Sequence, residues 1–266
     1  MRICVFDSGI GGLPFVQALN REFPFLEIDY VADDAGFPYG TKSPEMIRDM
    51  LFERLRRIRA RLDPEILIIS CMTAVQIGLK ELQAAHRALN IIGAIPPIAE
   101  AAKESQTHRI ALLSTSRTAE DSFLDYLIAR DAPDSEVLRI PAQDLIEYAE
   151  QHLPFASLLS AQTMVAPYIN YALEEGADRI ILASSQFILL EDAIASQLNE
   201  RQAFNVQCLD PRAKVISALQ KLIHYKEHAE ETKFQKPRFF LAGDRGATPY
   251  YIAWSDKFNC STPQLL

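Results

Sequence analysis

Ile66-Leu-Ile-Ile-Ser-Cys-Met-Thr-Ala74 is an apolar run of branched side chains that ends abruptly in a thiol and small or polar residues. A short continuous run of this kind predicts a strand of a parallel sheet buried on both faces. In open α/β sheets, ligands gather outside the carboxyl ends of such strands, which is where Cys71 falls. A helix beginning just after Cys71 would direct backbone N–H groups at the sulfur and favour the thiolate, the form that acts as nucleophile or base. The same residue also reads as a buried structural cysteine.

Other segments repeat the pattern. Arg2 to Phe6 is a short apolar strand running into Asp7-Ser-Gly-Ile-Gly-Gly12 and then into the helical spacing Leu13, Val16, Leu19. Strand, glycine-rich turn and helix aim backbone donors at an anion. The spacing does not match the Gly-x-Gly-x-x-Gly dinucleotide motif, and an acid ahead of the glycines would repel a pyrophosphate. A small carboxylate is the guest this turn suits, with Ser8 and the turn N–H groups as donors, and a plain tight turn is the alternative. A strand at Ile28 to Ala32 leads to Asp33-Asp-Ala-Gly-Phe-Pro-Tyr-Gly-Thr-Lys42, a turn-rich loop that could close over a ligand. Ser43 and Pro44 then predict the start of a helix to about Leu62. A helix after Cys71 reaches Leu89, and Ile91 to Pro97 is a short strand whose double proline suits a passage between domains.

The second region opens on Arg109-Ile-Ala-Leu-Leu-Ser-Thr-Ser-Arg-Thr118, which parallels Arg2 to Gly11. Arg179-Ile-Ile-Leu-Ala-Ser-Ser-Gln-Phe187 parallels Leu67 to Ala74, with a hydroxyl in place of the thiol. Asp7 and Cys71 lie 64 positions apart, and Ser114 and Ser184 lie 70 apart. Helical patterns occupy Asp121 to Ala129, Ala142 to Gln151, Ala156 to Glu175 and the stretch from Ser184 to about Glu200. A strand at Val206 to Leu209, a helix to Tyr225, a charged tract over Lys226 to Lys236, a strand at Arg238 to Gly243 and a short amphipathic piece at Tyr250 to Trp254 follow. Alternating strands and helices predict parallel sheets, arranged as two pseudo-symmetric α/β domains. The expected domains are residues 1–96 with 208–266, and 97–207.

Composition narrows the function classes. With 48% hydrophobic residues, the 266-residue chain reads as globular, and a net charge of -8 argues against nucleic acid as a partner. The basic run Arg54 to Arg61 alternates with Leu55 and Ile58 at helical spacing and reads as a solvated helix face. Cys4, Cys71, Cys208 and Cys260 are too widely spaced for a zinc site, and the histidines lack metal-ligand spacing apart from His224/His228, which reads as an exposed helix end. No leader pattern and no apolar run of membrane length is present, so the expectation is a cytoplasmic protein with no membrane partner.

The combination Phe6-Asp7-Ser-Gly-Ile-Gly-Gly, Pro38-Tyr-Gly-Thr-Lys-Ser, Ser70-Cys-Met-Thr-Ala and Leu182-Ala-Ser-Ser-Gln-Phe-Ile-Leu-Leu190 closely resembles the cofactor-independent glutamate racemases. The resemblance spans nearly the whole chain. It implies two α/β domains facing each other across a cleft, a site without metal or other cofactor, and two cysteines that move protons on opposite faces of glutamate's α-carbon. It also implies a small amino acid or dicarboxylate as ligand, a homodimer, and a role in supplying D-glutamate as a peptidoglycan precursor. On this match Cys71 is one base, while Asp7, Ser8, Tyr39, Gly40 and Thr73 orient the base or hold the amino acid.

The departures fall in the same layer. Family members read Cys-Asn-Thr where this chain has Cys71-Met72-Thr73, and Gly-Cys-Thr-His-Tyr-Pro where it has Ala183-Ser184-Ser185-Gln186-Phe187-Ile188. Ser184 thus stands at the second-base position, with Ser185 and Gln186 beside it. A serine hydroxyl needs an adjacent base to act, and an amide is none. The expected outcome is impaired two-base racemisation. The alternatives are a one-cysteine enzyme acting through Cys71 on another small acid, and a non-catalytic paralogue that senses such acids or binds a protein partner.

Overall fold

The structure, a computed structural model, describes residues 1–223, 235–244 and 246–266. The chain begins with β1 (Arg2–Asp7), α1 (Leu13–Glu22), β2 (Glu27–Ala32), α2 (Pro44–Arg61), β3 (Ile66–Ile69), α3 (Met72–Ala85) and β4 (Asn90–Gly93). It continues through α4 (Ile98–Glu104), β5 (Arg109–Ser114), α5 (Ser116–Glu120), α6 (Ser122–Asp131), β6 (Glu136–Pro141), α7 (Gln143–Gln151) and α8 (Leu158–Glu174). Next come β7 (Arg179–Ala183), α9 (Ser185–Ile188), α10 (Glu191–Glu200), β8 (Gln207–Leu209), α11 (Arg212–Leu222), β9 (Arg238–Leu241), α12 (Pro249–Lys257) and β10 (Gln264–Leu265). The chain divides into two compact units, Met1–Ala94 with Arg212–Leu266, and Ile95–Pro211.

The first unit carries a parallel sheet in the order β10-β9-β2-β1-β3-β4. Its central strands are buried because their side chains are apolar on both faces, as crossover helices require. The late segment is fastened by Arg238, whose Nε and Nη2 donate to the two oxygens of buried Asp29 at 2.6 and 2.7 Å. The second unit has the order β6-β5-β7-β8, also parallel. This repeats β2-β1-β3-β4 strand for strand, the same topology in each half.

Several expectations are refined. The Ser184 to Glu200 stretch is two helices, and the Val206 strand starts at Gln207. Strand β6 and helix α4 had no counterpart in the sequence reading; β6 is an edge strand with mixed polarity and partial exposure, so it lacks a clear period. The basic run on α2 is only partly solvated. Arg56 is exposed beside Glu53, but Arg54 donates its Nε to Asp33 at 2.9 Å, and Arg57 donates its Nη1 to the Ala242 carbonyl at 2.6 Å. Tyr225, the His224/His228 pair and most of the Lys226 to Lys236 tract lie outside the described residues. Among the described residues, no helix is long and apolar enough to cross a membrane.

Candidate active site

In each sheet the order reverses beside the first strand of the unit, and the loops that leave the carboxyl ends on either side of the reversal diverge. Such a switch point is where open α/β sheets bind ligands. In the first unit the two loops are Asp7-Ser8 after β1 and Ser70-Cys71 after β3. The register that pairs Phe6 with Ile69 brings Ser70 opposite Asp7. The Ser70 hydroxyl donates to Asp7 Oδ2 at 2.7 Å and approaches the Phe6 carbonyl at 3.1 Å. Asp7 is fully buried, and its Oδ1 accepts the Gly9 N–H at 3.2 Å. A buried carboxylate persists only when donors replace its lost water, and these two supply that.

The glycine turn is built for this carboxylate more than for a guest. Gly12 donates its N–H to the Tyr30 hydroxyl at 3.2 Å, and that hydroxyl donates to the Gly9 carbonyl. A Cβ on Gly12 would meet the Tyr30 ring at 2.6 Å and Ser70 Oγ at 2.7 Å, so only glycine lets the turn lie against the strand ends. Of the turn N–H groups expected to serve a ligand carboxylate, those of Gly9 and Gly12 are engaged inside the protein.

Cys71 is the N-cap residue of α3, with its sulfur buried. The Ser8 hydroxyl and the N–H groups of Ser8 and Ala74 face the sulfur and favour its charged form, without completing a capping hydrogen bond. Burial opposes them most strongly, followed by the negative charge of Asp7, and the thiol is pushed up to about 12. Burial and a neighbouring carboxylate thus outweigh the helix start that favours the thiolate. Met72 and Thr73 follow in the first turn of α3, both buried.

The Asp33 to Lys42 loop is pinned. Buried Asp33 accepts from Arg54 Nε at 2.9 Å, the Tyr39 hydroxyl at 2.8 Å and the Gly36 N–H at 3.1 Å. Asp34 Oδ1 accepts the Gly243 N–H at 2.6 Å, and Lys42 Nζ donates to the Pro38 carbonyl at 2.8 Å. Tyr39 and Gly40 lie buried in a single 3-10 turn. The phenol of Tyr39 points into the Asp33 ion pair, and burial with the Asp33 charge holds it protonated.

The second unit carries Ser184, Ser185 and Gln186 at the carboxyl end of β7, all buried. The Ser184 hydroxyl donates to Gln186 Oε1 at 2.9 Å, and the Ser185 hydroxyl donates to the same oxygen at 3.2 Å. Gln186 Nε2 is buried without a hydrogen-bond partner. Sequence reasoning missed Ser70, Tyr30, Asp33 and Arg54 as the groups that hold these side chains; only strand register and tertiary packing reveal them.

The chain is similar to known proteins in sequence and in fold. The glutamate racemase of Brucella ovis is 30% identical over 241 residues, covering 90% of this chain and 86% of that protein. The glutamate racemase of Rhizobium meliloti is 28% identical over 243 residues, covering 91% and 86%. Among solved structures, Escherichia coli glutamate racemase in complex with L-glutamate and the activator UDP-MurNAc-Ala has a TM-score of 0.83 at 24% identity, covering 100% of this chain and 97% of that one. Glutamate racemase from Francisella tularensis in complex with D-glutamate has a TM-score of 0.78 at 22% identity, covering 100% and 95%. The structural likenesses carry the fold, and a family model described as Asp/Glu/Hydantoin racemase matches residues 15–219. With that match over most of its length, the chain belongs to the Asp/Glu/hydantoin racemase family.

Proposed function

We propose that this protein binds glutamate or a similar small amino or dicarboxylic acid and exchanges a proton at its α-carbon through Cys71 on one face, with two-base racemisation impaired. The observation that carries the reading is the Ser184 hydroxyl donating to Gln186 Oε1 at 2.9 Å. An amide oxygen does not take up a proton near neutral pH, so it does not activate that hydroxyl as a histidine or carboxylate would. Among the described residues the hydrogen-bond partner of the Ser184 hydroxyl is this amide oxygen. Replacing one member of a matched acid–base pair removes a contribution of about 10²–10⁴ in rate.

Cys71 retains what a proton handler needs. Asp7, Ser8 and the start of α3 face the sulfur, and burial with the Asp7 charge raises its thiol. A ligand ammonium beside Asp7 would offset the carboxylate's charge and ease the thiol's ionisation. The thiolate then takes the α-proton, exchanges it with solvent as the thiol, and returns a solvent-derived proton to the same face. In the first unit the residues proposed for this chemistry are Asp7, Ser8, Tyr39, Gly40, Met72 and Thr73, and in the second unit, taken by itself, they are Ser184, Ser185 and Gln186.

The test is incubation with L- and D-glutamate in D₂O, followed by proton NMR of the α-position and chiral analysis. Exchange of one enantiomer with retained configuration supports the reading. Interconversion at the rate of a two-thiol racemase refutes the impairment, and absence of exchange in both enantiomers refutes catalysis on glutamate.

A further inference from the structure

The carboxyl ends of β6, β5 and β7 lie side by side in the second sheet, and each is followed by a residue with buried polar atoms that have no hydrogen-bond partner among the described residues. After β7, Gln186 is only 3% exposed and its Nε2 has no partner. Gln143 opens α7 directly after β6, and both its Nε2 and its Oε1 are buried without partners. Arg117 stands in α5, just past β5, with its Nε buried and unpartnered. Among the described residues its guanidinium forms no ion pair.

The elements that carry these residues are held together. Helix α7 packs against α9, which contains Gln186, and α5 packs against β6. Arg139 on β6 fastens α5 by donating Nη1 to the Ala119 carbonyl at 3.0 Å. Parallel strands bring all three residues to the carboxyl end of the sheet. A buried donor without an acceptor is costly, and buried polar groups are satisfied by default. The unsatisfied atoms here are mostly N–H donors, one of them on a permanent cation. Their complement is a group that only accepts and bears negative charge, which describes a carboxylate.

We propose that Arg117, with Gln143 and Gln186, binds a carboxylate of the small acid at this end of the second unit. Arg117 supplies the charge and the two amides supply further hydrogen bonds. The inference rests on the proposed function for its ligand class and adds the residues that select it.

Isothermal titration calorimetry with L-glutamate, D-glutamate and norvaline, which replaces the side-chain carboxylate by a methyl group, tests it on the full chain. Arg117→Gln is expected to weaken binding of the preferred glutamate enantiomer about 10- to 100-fold, the range for losing a charged hydrogen bond. Arg117→Lys retains part of the affinity. Loss for glutamate alone places Arg117 on the side-chain carboxylate, and equal loss for norvaline places it on the carboxylate the two share; either supports the proposal. The ligand-free melting temperature of Arg117→Gln should stay close to that of the parent, since the substitution removes no ion pair. Unchanged glutamate affinity in Arg117→Gln overturns this inference and leaves the proposed function standing. Failure of the parent protein to bind either glutamate enantiomer removes both.

Discussion

Asp7→Asn isolates the charge that acts on Cys71. Burial is the largest cause of the thiol's rise to about 12, the Asp7 carboxylate is the second, and the donors from Ser8 and Ala74 work against both. An unperturbed thiol titrates near 8.5. A like charge beside an ionisable group is worth on the order of 1–2 pH units. Because burial remains, the variant's thiol is expected to titrate lower than the parent's and still above its ordinary value. At pH 9 this raises the thiolate fraction about 10- to 100-fold. The assay is the rate of alkylation by iodoacetamide at pH 9, read on the Cys71 peptide by mass spectrometry so that Cys4, Cys208 and Cys260 are scored separately. Asparagine keeps an acceptor for Gly9, and Ser70 can turn to accept from the new amide, so circular dichroism and urea unfolding should show a folded variant. Equal or slower alkylation of Cys71 in that folded variant would refute the assignment of Asp7 as the charge facing the sulfur.

Three more outcomes are expected. Ser184→Cys combined with Gln186→His and Met72→Asn should raise racemisation of glutamate by about 10²–10⁴ over the parent, measured by circular dichroism of the enantiomers; no gain would show that the missing second base is not what limits the parent. Gly12→Ala forces a methyl group to 2.6 Å from the Tyr30 ring and 2.7 Å from Ser70 Oγ, so urea unfolding should report a loss of about 1–3 kcal/mol; a loss below about 0.5 would mean the turn yields freely. The Cys71 thiol has a raised folded value, so its contribution to stability is complete below the unfolded value near 8.5 and is lost as pH rises toward about 12. Stability between about pH 9 and 10.5 should therefore fall less steeply in Cys71→Ser, by up to about 1.4 kcal/mol per pH unit, and identical slopes would contradict the raised value.

The legible parts of this protein are those set by local pattern. Buried parallel strands appear as apolar runs, and their polar ends announce the switch-point residues Asp7, Cys71 and Ser184, because side-chain polarity changes where the strand leaves the core. Ser43 and Pro44 mark the start of α2 because a cap hydroxyl and a fixed proline φ act within a few residues; Ser43 accepts the Met46 N–H at 3.3 Å. What was not legible depends on register and burial. Ser70 reaches Asp7 only because β1 and β3 align Phe6 with Ile69, and Arg54 leaves the solvated face of its helix only because Asp33 is buried beneath it. The letters leave the state of Cys71 open for the same reason: the helix start is visible in them, whereas the burial that outweighs it is not.

The repeated topology sharpens what the two halves can do. In the first unit the residue after the strand end is Cys71, a thiol faced by the Ser8 hydroxyl and the Asp7 charge; in the second the matching residue is Ser184, whose hydroxyl donates into an amide. Both side chains find a polar neighbour at the start of the following helix. Proton transfer separates them, because a thiol ionises far more readily than a hydroxyl and an amide oxygen is no base. A half-site can therefore lose its base while keeping its hydrogen bonds, and it then differs from its twin in chemistry rather than in shape. On the proposed function, that is why Cys71 and Asp7 keep the proton chemistry, while Gln186, with Nε2 buried and unpartnered, is left to bind.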